Sequence, residues 1–428
     1  MTQATSAAAT PQARRARDPL PWLRGLVAVV VLVGVAAGAL RPFAPDIGPV
    51  EDPTRWFDDA YLARAAEFRR PRYIVGLVIL ALRVGVPLAA AFTPPGRRLV
   101  SAVCERVGLR RPALAATAVV ALVVVITDLL VLPLEFWLGY VHDGWYGFRT
   151  QGLAGWARDW LVGSLPPWLL VAGLTFGGWS LARRLPRTWP HVGGLIAAGA
   201  VVVIVTAAPV LLEPLHVRTE PLPDGPLRAQ VEDLTAASGR GEVEVVVADA
   251  SRRTTRQNAY VSGIGATRRI VLYDTLVAQQ PSDGVLSVVA HELAHDRHGD
   301  LWRGTAMAAA AVALAGPGLG LALRWRVRRG RQDAVTDPRA AAVVLALVVV
   351  ALFAVQPVER ALSRQMEAAA DFGALELTGD PEVFLEQREA VTRANLSEPD
   401  PPTWVQVLWG THPSSAERMT MGQRWPLD

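Results

Sequence analysis

The sequence predicts a multi-pass α-helical membrane protein of about seven spans, with an α+β domain built from two soluble segments. Two observations support this fold class. Of the 428 residues, 51% are apolar and the mean hydropathy is positive, which is more apolar than an ordinary soluble protein of this length. The apolar residues are concentrated in blocks of about 20 residues, the length that a helix needs to cross a bilayer. This pattern predicts membrane spans rather than an oversized core.

The order of apolar and polar stretches divides the chain into five regions. We expect a disordered tail at 1–19, an N-terminal membrane region of five spans at 20–212, the first half of the soluble domain at 213–302, two further spans within 303–357, and the second half of the domain at 358–428. The predicted spans lie near 22–40, 73–93, 112–134, 160–182, 190–212, 303–323 and 339–357. The first block also has features of a signal peptide, and the sequence leaves its cleavage open.

Charge and cysteine content exclude several classes of partner and site. The net charge is +4, and the arginines lie mostly between apolar blocks, so we expect no nucleic-acid partner. Cys104 is the single cysteine, which excludes an internal disulfide and a cysteine-based zinc site. Any metal must therefore be held by nitrogen and oxygen.

The first soluble segment shows strand patterns followed by a helix. Strands are predicted at 242–248, 259–262 and 269–273. Gly263 and Gly265 between the last two strands indicate a hairpin turn. Ser282 and Asp283 offer an N-cap for a helix from Val285 to His298.

The second soluble segment is predicted to be helical. It opens with "ERALSRQMEAAADFGALEL" at 359–377, and another helix begins after Pro381. Because the two segments flank one pair of spans, they can fold together into a single domain.

The motif "HELAH" at 291–295 is the first candidate for chemistry. On a helix, His291 and His295 share one face and can hold one metal ion. Glu292 between them is the natural base for a metal-activated water. A match of this length also occurs by chance, so the interpretation requires a third ligand elsewhere in the chain.

Two acids downstream can supply what the motif lacks. Glu367 and Asp371 stand four residues apart on one predicted helical face. Glu367 can complete a set of three protein ligands, as a catalytic zinc site needs. Asp371 can accept a hydrogen bond from a ligating imidazole and hold its orientation. The alternative is that both acids are solvated helix residues.

Four separated motifs resemble those of the integral-membrane gluzincin metalloproteases, the family that includes the type I CAAX prenyl protease and the heat-shock membrane protease. They are "NAYVSGIGATRRIVLYDTL" at 258–276, "HELAHDRHGD" at 291–300, "SRQMEAAADFGAL" at 363–375 and "THPSSAERM" at 411–419. Their order and joint occurrence make the resemblance specific. It implies that the soluble domain is a zincin-type metalloprotease domain with one Zn²⁺ per chain.

The resemblance also implies a role for each matching residue. The zinc ligands would be His291, His295 and Glu367, the general base Glu292, and the outer partner of a ligand Asp371. An edge strand with Asn258, Ala259 and Tyr260 would pair with an extended substrate. His412 would contact the tetrahedral oxyanion, and Arg418 would be structural or near the substrate. Asp300 belongs to the motif at 291–300, and we expect it only to cap the following helix, with no catalytic role.

The sequence does not decide which side of the membrane carries this domain. The positive-inside rule counts more arginines in the loops opposite the domain and so places the domain outside the cytoplasm. The resemblance implies the cytoplasmic side of the cell membrane, which we take as the expectation.

The sequence as a whole predicts a zinc-dependent membrane metalloendopeptidase that cuts extended peptides or membrane proteins. Two alternatives come from other classes. A catalytically inactive membrane scaffold is disfavoured because it would have no need of all four residues His291, Glu292, His295 and Glu367. A transporter is disfavoured because no acid or histidine is predicted in the middle of a span.

Overall fold

The computed structural model describes residues 45–239, 243–263, 265–330, 334 and 336–426. The predicted tail and the predicted first span at 22–40 lie outside the described residues. The N-terminal part comprises α1 (Asp59–Phe92), α2 (Pro94–Val107), α3 (Pro112–Phe136), α4 (Asp143–Trp145), α5 (Leu153–Arg184) and α6 (Trp189–Leu211).

The middle segment contains all four described strands. It runs through α7 (Glu213–His216), β1 (Thr219–Pro221), α8 (Pro226–Ala237), β2 (Glu244–Ala248), β3 (Ala259–Ser262), β4 (Arg269–Tyr273), α9 (Asp274–Gln279) and α10 (Ser282–His298). The chain then continues through α11 (Asp300–Arg328), α12 (Ala341–Thr378), α13 (Pro381–Ala394), α14 (Thr403–Leu408) and α15 (Ser415–Gln423).

Six helical segments of the described chain are long and apolar enough to cross a membrane. They are Asp59–Phe92, Pro112–Trp145, Leu153–Arg184, Trp189–Leu211, Asp300–Arg328 and Pro338–Thr378. Each covers one of the predicted apolar blocks from 73–93 onward to within one residue, so the prediction of a multi-pass helical membrane protein is confirmed. The predicted span at 112–134 is shorter than the observed helical segment. A π-helical segment, Trp137–His142, joins α3 to α4 without a break.

One expectation about the spans is wrong. Asp128 lies in the middle of the segment Pro112–Trp145, where no acid was expected. Its Oδ2 atom accepts a 2.6 Å hydrogen bond from Nε1 of Trp168 on α5. The acid therefore joins two packed helices, which satisfies part of its hydrogen-bonding capacity within the protein.

The four strands form one sheet in the order β1-β2-β4-β3. β2 and β4 are parallel, and β3 pairs antiparallel with β4 at the edge. The predicted strands at 259–262 and 269–273 have the observed bounds, whereas β1 and α8 were not predicted. α10 begins at Ser282, and Pro281 occupies its N-cap position without a side-chain cap, so the predicted cap is wrong.

An apolar core joins the sheet to α10. Ile270 and Leu272 of β4 pack against Val285, Val289 and Leu293 of α10. This packing places the helix that carries the motif at 291–295 against the sheet.

Two long helices link the site to the membrane. α11 starts directly after α10, and α12 is a single helix of 38 residues that runs from the membrane into the soluble domain. α12 lies close to α10, since a Cβ atom on Gly373 would stand 2.9 Å from Cβ of Ala294. A residue without a side chain at this position allows the two helices to approach.

Candidate metal centre

Three potential ligands converge where α10 meets α12. The Nε2 atoms of His291 and His295 lie 3.2 Å apart. Glu367 places Oε2 at 3.2 Å from Nε2 of His291 and Oε1 at 3.4 Å from Nε2 of His295. Local helix geometry supplies the histidine pair, because residues four apart share a face. The tertiary packing of α12 on α10 supplies the glutamate.

The spacing of these three groups fits a tetrahedral zinc ion. Bonds of about 2.0–2.1 Å at tetrahedral angles separate the ligand atoms by about 3.3 Å. The donor atoms of His291, His295 and Glu367 have this separation. The buried Oε2 atom of Glu367 receives no well-formed hydrogen bond from the described residues. A nitrogen and oxygen donor set of this kind is suited to a divalent metal.

Asp371 contacts the Nδ1 side of the His291 ring. The Nδ1 atom of His291 lies 2.9 Å from Oδ1 of Asp371, whose side chain is fully buried. Arg418 on α15 donates two hydrogen bonds of 2.6 Å, from Nε and Nη2, to the two oxygens of that carboxylate. These two hydrogen bonds fix the carboxylate. The carboxylate in turn orients the imidazole so that its Nε2 atom faces the other potential ligands.

His295 is held in the same way by Asp300. Its Nδ1 atom lies 2.8 Å from Oδ2 of Asp300. Gly299 ends α10 in the left-handed conformation, with φ of 66°, so that α11 starts at once and brings the carboxylate back to the imidazole. The expectation that Asp300 only caps α11 is wrong, because Gly299 occupies the N-cap position without a side-chain cap and Asp300 contacts His295 instead. The helix-ending glycine directly before the acid was the available signal.

Glu292 faces a cavity beside the three potential ligands. The cavity measures about 660 Å³ and is lined by Glu292, His291 and His412, together with Asn258 and Ala259. Glu292 makes no hydrogen bond or ion pair with the described residues. Its carboxylate is therefore free to accept a proton from a water molecule in the cavity.

The predicted substrate-binding strand is only partly in the cavity. Asn258 and Ala259 line it, while Tyr260 is outside the lining set of described residues. The Tyr260 hydroxyl donates a 3.0 Å hydrogen bond to Oε1 of Glu213 instead. Just before β3, the main chain of Gln257 is already paired and cannot bind a substrate. Its N–H donates to Oδ1 of Asn395 at 3.0 Å, and its C=O accepts from Nδ2 of Asn395 at 2.9 Å. Sequence reasoning did not find Asn395.

His412 reaches the centre from the C-terminal part of the chain. Its Nε2 atom lies 3.2 Å from Oε2 of Glu367, and its Nδ1 atom lies 2.8 Å from Oγ1 of Thr411. Its side chain remains 54% exposed, so it is accessible to a molecule in the cavity.

Comparisons with known proteins show which family the chain resembles. Residues 221–425 match the model of peptidase family M48. The chain is 30% identical over 310 residues to the uncharacterized metalloprotease YhfN of Bacillus subtilis (strain 168), covering 70% of this chain and 71% of that protein. It is 35% identical over 181 residues to the CAAX prenyl protease 1 homolog of Arabidopsis thaliana, covering 40% of each chain.

A solved structure extends the likeness to the whole fold. The crystal structure of S. mikatae Ste24p superposes with a TM-score of 0.73 and 18% identity, covering 94% of this chain and 99% of that chain. The similarity to YhfN spans both the membrane helices and the soluble domain. The chain therefore belongs to the membrane metalloproteases of peptidase family M48.

Proposed function

We propose that this protein is a zinc-dependent metalloendopeptidase of the cell membrane that hydrolyses extended peptides or membrane proteins. The observation that carries the proposal is the convergence of His291, His295 and Glu367 at tetrahedral spacing. Each imidazole is also held by a carboxylate, Asp371 or Asp300, as metal-binding histidines require. One Zn²⁺ per chain would occupy this centre and supply a Lewis acid for the scissile carbonyl and the attacking water.

Glu292 is proposed as the general base. It lines the cavity next to His291 and makes no hydrogen bond or ion pair with the described residues. It would accept the proton of the attacking water and pass it to the leaving amine. Because it is adjacent to a ligand on α10, its side chain is held close to the reacting atoms.

The remaining residues would position the substrate and stabilise charge. The edge strand β3, which begins at Ala259 directly after Asn258, would pair with the substrate main chain. Binding would then depend on an extended backbone more than on the substrate's side chains. The Tyr260 main chain continues this edge. His412 would donate a hydrogen bond to the oxyanion. Arg418 would act indirectly, through Asp371.

The names of the relatives suggest one substrate class. The Arabidopsis relative is a CAAX prenyl protease homolog, so a prenylated peptide belongs among the substrates to test. The B. subtilis relative carries no substrate in its name. A peptide without a lipid is therefore the first choice of reporter.

The test compares zinc content and peptide cleavage in detergent for the wild type and Glu292→Gln. We expect about one zinc per chain in both proteins, with cleavage only by the wild type. Removing a general base costs about 10²–10⁴-fold in rate. Asp283→Asn, an exposed acid on the same helix, is the matched control and should cut normally. A zinc-loaded wild type that leaves both generic and prenylated peptides intact would favour the inactive scaffold.

A further inference from the structure

Arg388 on α13 is a buried cation that the proposed reaction does not use. Its side chain is 10% exposed and lines the same cavity as His291 and Glu292. Its Nε and Nη2 atoms are buried and have no hydrogen-bond partner among the described residues. A buried charged group of this kind is costly unless a partner pairs with it.

Asp371 does not satisfy Arg388. Both oxygens of Asp371 already accept 2.6 Å hydrogen bonds from Arg418, and Oδ1 also lies 2.9 Å from His291. Nη2 of Arg388 is 3.5 Å from the same Oδ1, which is too long for a well-formed hydrogen bond. Two guanidinium groups thus share one carboxylate.

The neighbouring carboxylates do not supply Arg388 with a partner of its own either. The other acids close to Arg388 are Glu367 and Glu292. Neither of them lies within ion-pair distance of Arg388 among the described residues, and Asp371 is shared with Arg418. Burial lowers the pKa of Arg388 to about 10, so the guanidinium remains charged at neutral pH.

Apolar residues line the same cavity as Arg388 and His291. Leu276, Val288 and Val391 belong to one apolar cluster and also line the cavity. Val288 lies one helical turn before His291, and Val391 lies one turn after Arg388. Residues of an extended peptide rise about 3.3 Å each, so this part of the cavity would receive a group within about two residues of the scissile bond.

We propose that Arg388 binds a carboxylate of the substrate in this part of the cavity, next to the bond that is cut. The apolar walls would contact the aliphatic part of the group, and the guanidinium would pair with its two oxygens. The carboxylate can be an aspartate or glutamate side chain or the free C-terminus of a short leaving peptide. The inference rests on the proposed function and adds a specificity to it.

The test uses one reporter peptide in matched forms. The residue on each side of the scissile bond is glutamate, glutamine, leucine or lysine, and each peptide is made with a free and an amidated C-terminus. The kcat/KM of zinc-loaded enzyme is measured for wild type, Arg388→Met, Arg388→Lys and Arg393→Met. Arg393 lies on the same helix, pairs with Glu389 and is outside the described cavity lining, so it is the control.

We expect the wild type to prefer one carboxylate over its neutral counterpart by about tenfold or more, as for a hydrogen bond to a charged group. Arg388→Met should abolish the preference, Arg388→Lys should keep part of it, and Arg393→Met should leave it unchanged. A glutamate preference identifies the side chain as the source, whereas loss on amidation identifies the C-terminus. Binding of the same peptides to Glu292→Gln should follow the same order.

Two results would overturn the inference while leaving the proposed function intact. One is equal cleavage of charged and neutral peptides by the wild type. The other is an undiminished preference in Arg388→Met. If the zinc-loaded wild type cuts none of the peptides, the proposed function fails and the inference falls with it.

Discussion

Asp300 and His295 are five residues apart in the chain and are joined by a contact of 2.8 Å across the boundary between two helices. The left-handed Gly299 ends α10 between them. Asp300 is also the first residue of the long helix α11. The contact therefore ties a proposed metal ligand directly to a membrane-crossing helix.

Replacing Asp300 should weaken metal binding. Without the carboxylate, His295 loses the group that orients its ring, and loss of such a partner costs about 10–100-fold in metal affinity. We expect Asp300→Ala to have the larger effect and Asp300→Asn the smaller one, because asparagine keeps an acceptor. Competition with a chromophoric chelator measures the affinity, with Asp283→Asn as control. Unchanged affinity in Asp300→Ala would show that the contact does not support a ligand.

Metal binding should release a proton at pH 8. In the metal-free protein, burial acts to lower the pKa of His295, but the carboxylates of Asp300 and Glu367 outweigh it and raise this pKa from 6.5 to about 10. The metal requires the neutral imidazole and so displaces that proton. Calorimetry in buffers of different ionisation enthalpy should detect about one proton per metal. A binding enthalpy that does not depend on the buffer would contradict this expectation.

The same pKa sets the sign of a stability effect in the metal-free protein. A folded-state pKa above the unfolded value means that protonated His295 stabilises the fold. This contribution is complete below pH 6.5 and is lost as the pH rises through about 10. Thermal unfolding of metal-free protein should therefore show a Tm that falls over this range, and Asp300→Asn should flatten the slope.

Adding a side chain at Gly373 should push α10 and α12 apart. The new Cβ would stand 2.9 Å from Cβ of Ala294, and overpacking of this kind costs about 1–3 kcal/mol. Because Glu367 is on α12 and the histidines are on α10, Gly373→Ala should lower both Tm and metal affinity. Gly304→Ala on α11, where a Cβ meets open space, is the control. Retention of full metal affinity by Gly373→Ala would show that the helices can adjust.

Cysteine labelling can decide the side of the membrane. Cys104 is the single cysteine, so Cys104→Ala gives a background without thiols. In that background, Asp224→Cys marks the soluble domain, where the side chain is 95% exposed. Arg110→Cys marks the exposed turn between α2 and α3 on the opposite side.

We propose that the soluble domain is cytoplasmic. A membrane-impermeant maleimide applied to intact cells should then label Arg110→Cys and leave Asp224→Cys unlabelled until the cells are opened. The reverse pattern would place the domain outside, in agreement with the arginine distribution. It would leave the proposed chemistry unaffected.

Local patterns predicted the elements that depend on nearby residues. Six of the predicted spans lie within described helical segments to within one residue at their ends, because a helix that crosses a bilayer needs a continuous apolar run. Strands β3 and β4 also have the predicted bounds. The strand β1 and the helix α8 were missed, since β1 has only three residues and is held by its pairing with β2.

Contacts between distant parts of the chain were harder to predict. The pairing of Asn395 with Gln257 joins residues 138 positions apart, and neither residue belongs to a recognisable motif. Arg388 likewise carries no local signal, because only the fold places it beside Asp371. Asp128 was overlooked within an apolar run, and the structure pairs it with Trp168 on another helix.

The sequence by itself determined the helical spacing of His291 and His295, the apolar runs that make spans, and the choice of nitrogen and oxygen ligands. These follow from short-range geometry and from the chemistry of the residue types. Only the tertiary structure decided that Glu367 approaches both histidines, that Asp371 and Asp300 hold them, and that Arg388 faces the cavity. Those relationships depend on how α10, α12 and α13 pack, which is the outcome of burial summed over the whole domain.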